Sequence, residues 1–142
     1  MAKKKPILQY VIMCDDVAVY QDSNKVAILG VFEQIYVEKF PAVHPKLWLL
    51  SRFTDGQGSF NTQTKIFNPQ GQSIFESDKV NFELAETEVS YNINGQLVGL
   101  PLDEEGTYWV ETYLEEELVN RIPFQARLTP KQEPEQNETT YH

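Results

Sequence analysis

The chain has 142 residues, 41% of them hydrophobic and 12% aromatic, which is enough apolar material for one domain with a real core and no need of disulfides or metal. A net charge of −9 repels phosphate backbones and anionic lipid, so nucleic acid and membrane surfaces are excluded as ready partners. One cysteine, Cys14, and two histidines, His44 and His142, supply neither an internal disulfide nor a zinc set.

Lys3-Lys4-Lys5 before Ile7–Cys14 imitates a signal peptide, but the apolar run is short, contains Gln9, stops at Asp15-Asp16 and has no small residues before Cys14. No window approaches the length of a membrane-spanning helix, so a cytoplasmic protein is the expectation. Pro6 to Cys14 is apolar on both faces and reads as a central strand. Asp15 to Lys25 reads as a loop, with Asp22-Ser23-Asn24 as turn chemistry. Val26 to Val37 reads as a second strand, bent or bulged at Gly30, and Phe40-Pro41 and His44-Pro45 then break the pattern. His44 is expected in that loop, exposed to solvent.

Lys46 to Thr54 is another buried strand, and Asp55 to Gly58 is a turn rather than a phosphate loop, because no helix follows it. Phe60, Thr62, Thr64 and Ile66 alternate with Asn61, Gln63 and Lys65, a pattern with one inward and one wet face. Asn68-Pro69-Gln70-Gly71 fits a type I turn leading into a strand from Gln72 to Phe82. Val89 to Leu97 reads as one strand, although Asn94-Gly95 inside it is also a hairpin signal.

The clearest pattern is Gly106–Leu128, a hairpin. Its expected inward pairs are Leu114 with Leu118, Val110 with Ile122 and Tyr108 with Phe124, with Glu111 meeting Arg121 outside. The turn is expected at Glu115-Glu116-Glu117, opening to five residues for want of a glycine, and Pro123 argues for an edge. Residues 131–142 hold no large apolar residue before Tyr141 and read as a disordered polar tail behind a domain spanning residues 1–130. Turn signals every 8 to 12 residues and the lack of helical periodicity predict an all-β, antiparallel, immunoglobulin-like sandwich of about eight strands. Trp48 and Phe124 are expected in its core.

Cys14-Asp15-Asp16, Ala27-Ile28-Leu29-Gly30-Val31-Phe32, Phe40-Pro41 with Pro45, Leu47 and Arg52, and Gly106-Thr107-Tyr108 with Ile122-Pro123-Phe124 together resemble a family of small bacterial β-sandwich proteins of unknown function. The resemblance covers about residues 7 to 128. It implies the fold and a bacterial origin, and it carries no activity.

No nucleophile elbow, phosphate loop, dinucleotide fingerprint or metalloprotease motif is present, so no catalytic residue is assigned and an enzyme is not expected. Asp15-Asp16 has two readings: a weak calcium site, or a loop cap that accepts backbone amides, the latter favoured because the spaced ligands of a helix-loop-helix calcium site are missing. Alternation of connections between the two ends of a sandwich gathers Asp15, Asp16, Asp22, Asp55, Glu83, Glu86, Glu88, Glu115, Glu116 and Glu117 at one end, with Lys25 as the sole base. The expected function is a non-catalytic binding or interaction module that engages a basic protein partner through Asp15, Asp16, Asp22, Asp55 and Glu115 to Glu117. The alternative is a Ca²⁺-dependent binding domain using the same acidic loops, and solubility alone also accounts for them.

Overall fold

The computed structural model describes residues 3–23 and 25–130. The expected tail, residues 131–142, lies outside them. Ten strands form in order: β1 Ile7–Val19, β2 Val26–Val31, β3 Gln34–Val37, β4 Ala42–Thr54, β5 Gly58–Phe67, β6 Ser73–Glu76, β7 Val80–Leu84, β8 Tyr91–Leu102, β9 Gly106–Leu114 and β10 Glu117–Leu128. They build a four-stranded sheet, β2-β1-β4-β8, packed on a six-stranded one, β3-β10-β9-β5-β6, with β7 also pairing β5. Every pair is antiparallel except β3 with β10, so the all-β sandwich stands, with more strands than the sequence suggests.

The hairpin pairs as expected at Tyr108 with Phe124, Val110 with Ile122 and Glu111 with Arg121. Near its tip the expectation fails. The loop is two residues, Glu115 and Glu116, with φ of 50° and 68°, a left-handed pair that matches the right-handed twist of the flanking strands. Leu114 therefore faces Glu117, and a bulge between Leu118 and Asn120 absorbs the extra residue. Leu118 is left 46% exposed, while Val119 turns in against the core. Pro123 lies just before Gln125–Leu128, the stretch that β3 covers, so its missing amide falls on an open edge. Tyr108 stacks on Phe124 at 5.1 Å and donates from its hydroxyl to the Glu104 carbonyl at 2.7 Å, which ties the turn before β9 to the core.

Three further expectations are corrected. β1 does not end at Cys14 but runs through Asp15 and Asp16 to Val19, because Val17, Ala18 and Val19 pair with Ile28, Ala27 and Val26. Val26 to Val37 is two strands in different sheets, with the chain reversing at Phe32-Glu33. Gln72 to Phe82 is broken into β6 and β7, and Ser77 spans the gap: its amide donates to the Thr64 carbonyl and its hydroxyl accepts the Thr64 amide, each at 2.9 Å. β8 does run unbroken through Asn94-Gly95.

The second half of β1 and β2 form an arm that bends away from the sheet. The register sets Ile7 beside Thr54 and Tyr91 beside Phe53. A straight β1 would carry Val19 about 40 Å from that level at 3.3 Å per residue. Instead Val19, Tyr20 and Val26 line a groove together with Tyr91, Asn92 and Asn94, so the arm lies back over the outer face of the four-stranded sheet. Cys14 and Leu50 are buried there, outside both core clusters. Trp48 belongs to this covered outer face and is only half-buried, not a core residue. The bend needs Gly30: its φ is +70°, and a Cβ there would stand 2.4 Å from Asp15 Oδ2.

The core is divided. A larger cluster contains Met13, Leu47, Leu49, Ile66, Val110 and Phe124, and a smaller one Phe53, Phe60, Phe82, Leu84 and Leu114. Between them the registers put Thr64 opposite Thr112 on one sheet, and Leu49 opposite Gly95 and Ser51 opposite Ile93 on the other.

Candidate functional site

The acidic residues singled out by sequence do not form one rim. Asp15 and Asp16 sit in a strand at the arm's bend, where Asp15 packs on Gly30 and Asp16 Oδ1 accepts the amide of Val17 at 2.8 Å. Asp22 stands at the arm tip. Asp55 and Glu115 to Glu117 gather elsewhere, in the β4–β5 and β9–β10 connections. Glu83 joins this end, lining a groove with Glu115 and pairing through β7 with Ser59, so alternation of connections grouped these residues as expected; Asp15 and Asp16 fall outside because β1 runs on through them instead of ending at Cys14. Among the described residues, no three His, Cys, Asp or Glu side chains are grouped to hold a metal ion.

Asp55 and Glu115 to Glu117 are not free acids. Lys3, Lys4 and Lys5 run extended beside the β4–β5 turn, held by reciprocal Lys4 and Gln57 backbone hydrogen bonds of 2.8 Å. The Lys4 ammonium reaches Asp55 at 3.0 Å, and that of Lys5 reaches Glu117 at 2.7 Å. Lys3 meets Glu115 at 3.0 Å and lies 4.8 Å from the centre of the Phe60 ring, a carboxylate and a π-face on one cation. From the link between β6 and β7, Lys79 meets Glu116 at 2.7 Å. Glu115 is further held by the Asn61 side-chain amide at 2.7 Å and by its own backbone amide donating to the Asn61 carbonyl at 2.9 Å.

Two features distinguish this end. Asp55, Glu115 and Glu116 have φ of 58°, 50° and 68° and are the non-glycine residues with left-handed backbone among those described. Aspartate tolerates that geometry at Asp55, but at Glu115 and Glu116 glycine or asparagine would adopt it with less strain, and each of the three positions carries a carboxylate facing a lysine. The charge pairing also moves the protonation equilibria. Hydrogen bonding from Lys79 and Lys5 holds the Glu116 and Glu117 carboxyls below the usual carboxylate range, and Glu116 raises the Lys79 ammonium. The carboxylate contribution is present above the ordinary range and is lost as pH falls through the depressed values. All four pairs are exposed, so they add little to stability and weaken with salt.

Sequence reading missed Lys3 to Lys5, Lys79, Asn61 and Phe60 as members of this site. Lys3 and Glu115 are 112 positions apart, and the one local signal was a run of three lysines in a strongly acidic chain. His44, expected in an exposed loop, lies on β4, half-buried, its ring 6.0 Å from Phe32 and its Nε2 buried without a partner among the described residues. Burial pushes its pKa down. Cys14 is the small buried residue expected, and burial pushes its thiol up.

No helix among the described residues is long and apolar enough to cross a membrane. No curated protein matches the chain. Similar solved structures include an alkylpurine DNA glycosylase of Pseudomonas fluorescens bound to DNA containing an abasic site analog, at 11% identity and a TM-score of 0.44 over 82% of this chain and 30% of that one. β-Glucosidase 3B of Thermotoga neapolitana in complex with α-D-glucose is similar at 15% identity and a TM-score of 0.43, over 82% and 16%. This chain thus spans less than a third of either. An immunoglobulin-like protein of Pseudomonas aeruginosa is similar at 10% identity and a TM-score of 0.38, over 89% and 100%. The match that identifies the chain is one of sequence: residues 9–127 fit the family of unknown function DUF6941, and the protein belongs to that family.

Proposed function

We propose that the protein is a non-catalytic binding module whose hairpin end takes an extended, lysine-rich segment of a protein partner, and that Lys3–Lys5 fills this place in cis. The observation that carries the reading is the set of three left-handed acidic residues, Asp55, Glu115 and Glu116, each facing a lysine. Departures from local rules collect at functional sites, and a turn of Glu-Glu where Asn-Gly would fit with less strain is such a departure. The backbone pair at Gln57 supplies a strand-like docking line, and Phe60 with Glu115 supplies a place for one cation.

A tethered segment competes at an effective concentration on the order of millimolar, so the intact chain should bind such a peptide in trans only weakly. The test uses a fluorescent tri-lysine peptide and anisotropy, at low and at physiological salt. The full chain carrying Lys3→Ala, Lys4→Ala and Lys5→Ala should bind it more tightly than the intact protein. Adding Glu115→Gln and Glu117→Gln should remove the gain. Equal binding by all three proteins would refute the reading and leave the acidic end as a neutralised surface.

A further inference from the structure

The two apolar clusters are separated by a cavity of about 150 Å³ between the sheets. Small and polar residues meet there. Ser51 and Gly95 come from the four-stranded sheet, and Thr62, Thr64 and Thr112 from the other. Val11, Leu49, Ile93 and Leu97 give the four-stranded side of the wall its apolar part, and Phe75 adds to it from the other sheet. No Asp, Glu, Lys, Arg or His lines it. The exposed Val80 and Gln96 mark a mouth between β8 and the break separating β6 from β7.

Each of these residues has a reason to leave the space open. Gly95 sits in an unbroken strand, and a Cβ built on it would meet only the Leu49 carbonyl, at 3.8 Å. The site a side chain would fill is therefore vacant. Thr62 donates to the Tyr113 carbonyl at 2.8 Å and keeps its lone pairs. Ser51, Thr64 and Thr112 add further hydroxyls to the wall, and Thr112 is only 3% exposed. Hydroxyls set in a largely apolar wall normally find partners, and a guest bearing both hydroxyl and aliphatic groups would supply them.

We propose that this inter-sheet cavity is a binding site for a small neutral polyol of about six heavy atoms, the size of guest that a space of this volume admits. The absence of a charged wall selects against ions, because desolvating one would go uncompensated. The alternating hydroxyl and aliphatic wall matches a molecule with the same alternation. This site is distinct from the lysine-bearing end and does not depend on its role.

The probe is glycerol, titrated into the full-length protein below the concentrations at which polyols act as excluded osmolytes, with benzene as the apolar control. Amide chemical shifts of Thr64, Gly95 and Thr112 should move saturably with glycerol and not with benzene. Gly95→Val fills the space and should weaken glycerol binding by about tenfold or more. Should that variant fail to fold, Thr112→Val keeps the volume, removes one hydroxyl and should weaken glycerol binding alone. Non-saturable shifts with glycerol, or saturable ones left unchanged by these substitutions, would overturn the proposal. Saturation by benzene in place of glycerol would overturn the chemical class.

Discussion

Gly30→Ala tests the arm, the part of the fold that departs most from what the local sequence suggests. Two costs combine. Forcing an L-residue to a φ of +70° costs about 1 to 2 kcal/mol. The added Cβ also lands 2.4 Å from Asp15 Oδ2, so the carboxylate must move, for about 1 kcal/mol more. The sum of about 2 to 3 kcal/mol should lower the melting temperature by about 10 °C for a chain of this length. Asp15→Ala in the same chain removes the 2.4 Å contact, keeps a tight one at 3.1 Å from its own Cβ and leaves the backbone cost, so a double-mutant cycle by urea denaturation should return a coupling of up to about 1 kcal/mol. Faster hydrogen exchange at the Val17 and Ile28 amides would place the damage in the arm. If Gly30→Ala costs no more than about 0.5 kcal/mol, as at an unconstrained surface position, the close pairing of Asp15 with Gly30 does not exist.

Phe124→Ala, which removes a 1% exposed ring stacked on Tyr108, should cost about 3 to 5 kcal/mol in chemical denaturation. Trp48→Ala, on the half-buried face beneath the arm, should cost about 1 to 3 kcal/mol, and equal losses would contradict the assignment of Trp48 to that face. The Tyr113 hydroxyl is pushed up to about 12 by its hydrogen bond to Glu111, with burial adding to the effect. Glu111→Gln should return its ultraviolet titration toward about 10. Because that pKa is raised, the linked stability is present below the ordinary tyrosine range and fades as pH rises through about 12.

Period-two alternation is local, and where it held it was sufficient by itself. Phe60, Thr62 and Ile66 turned inward on β5, Tyr108 met Phe124, and Glu111 met Arg121, since a one-residue slip would have turned every inward side chain to solvent. The same argument misplaced Leu118, because alternation cannot register a bulge, and the bulge follows from a two-residue turn that three glutamates do not advertise. The all-β class and the hairpin register from Tyr108–Phe124 to Glu111–Arg121 were thus determined by the sequence alone, whereas Asn94-Gly95 read as strand or hairpin and only the pairing of β8 along β4 decided it. Tertiary structure decided which sheet each strand joined, that β1 passes its two aspartates and bends at Gly30, and that Lys3 to Lys5 close on Asp55, Glu115 and Glu117. It also left the space at Gly95 between two cores. Periodicity reports which face of a strand is buried, whereas sheet membership and contacts across 112 positions depend on packing between surfaces that no local window contains.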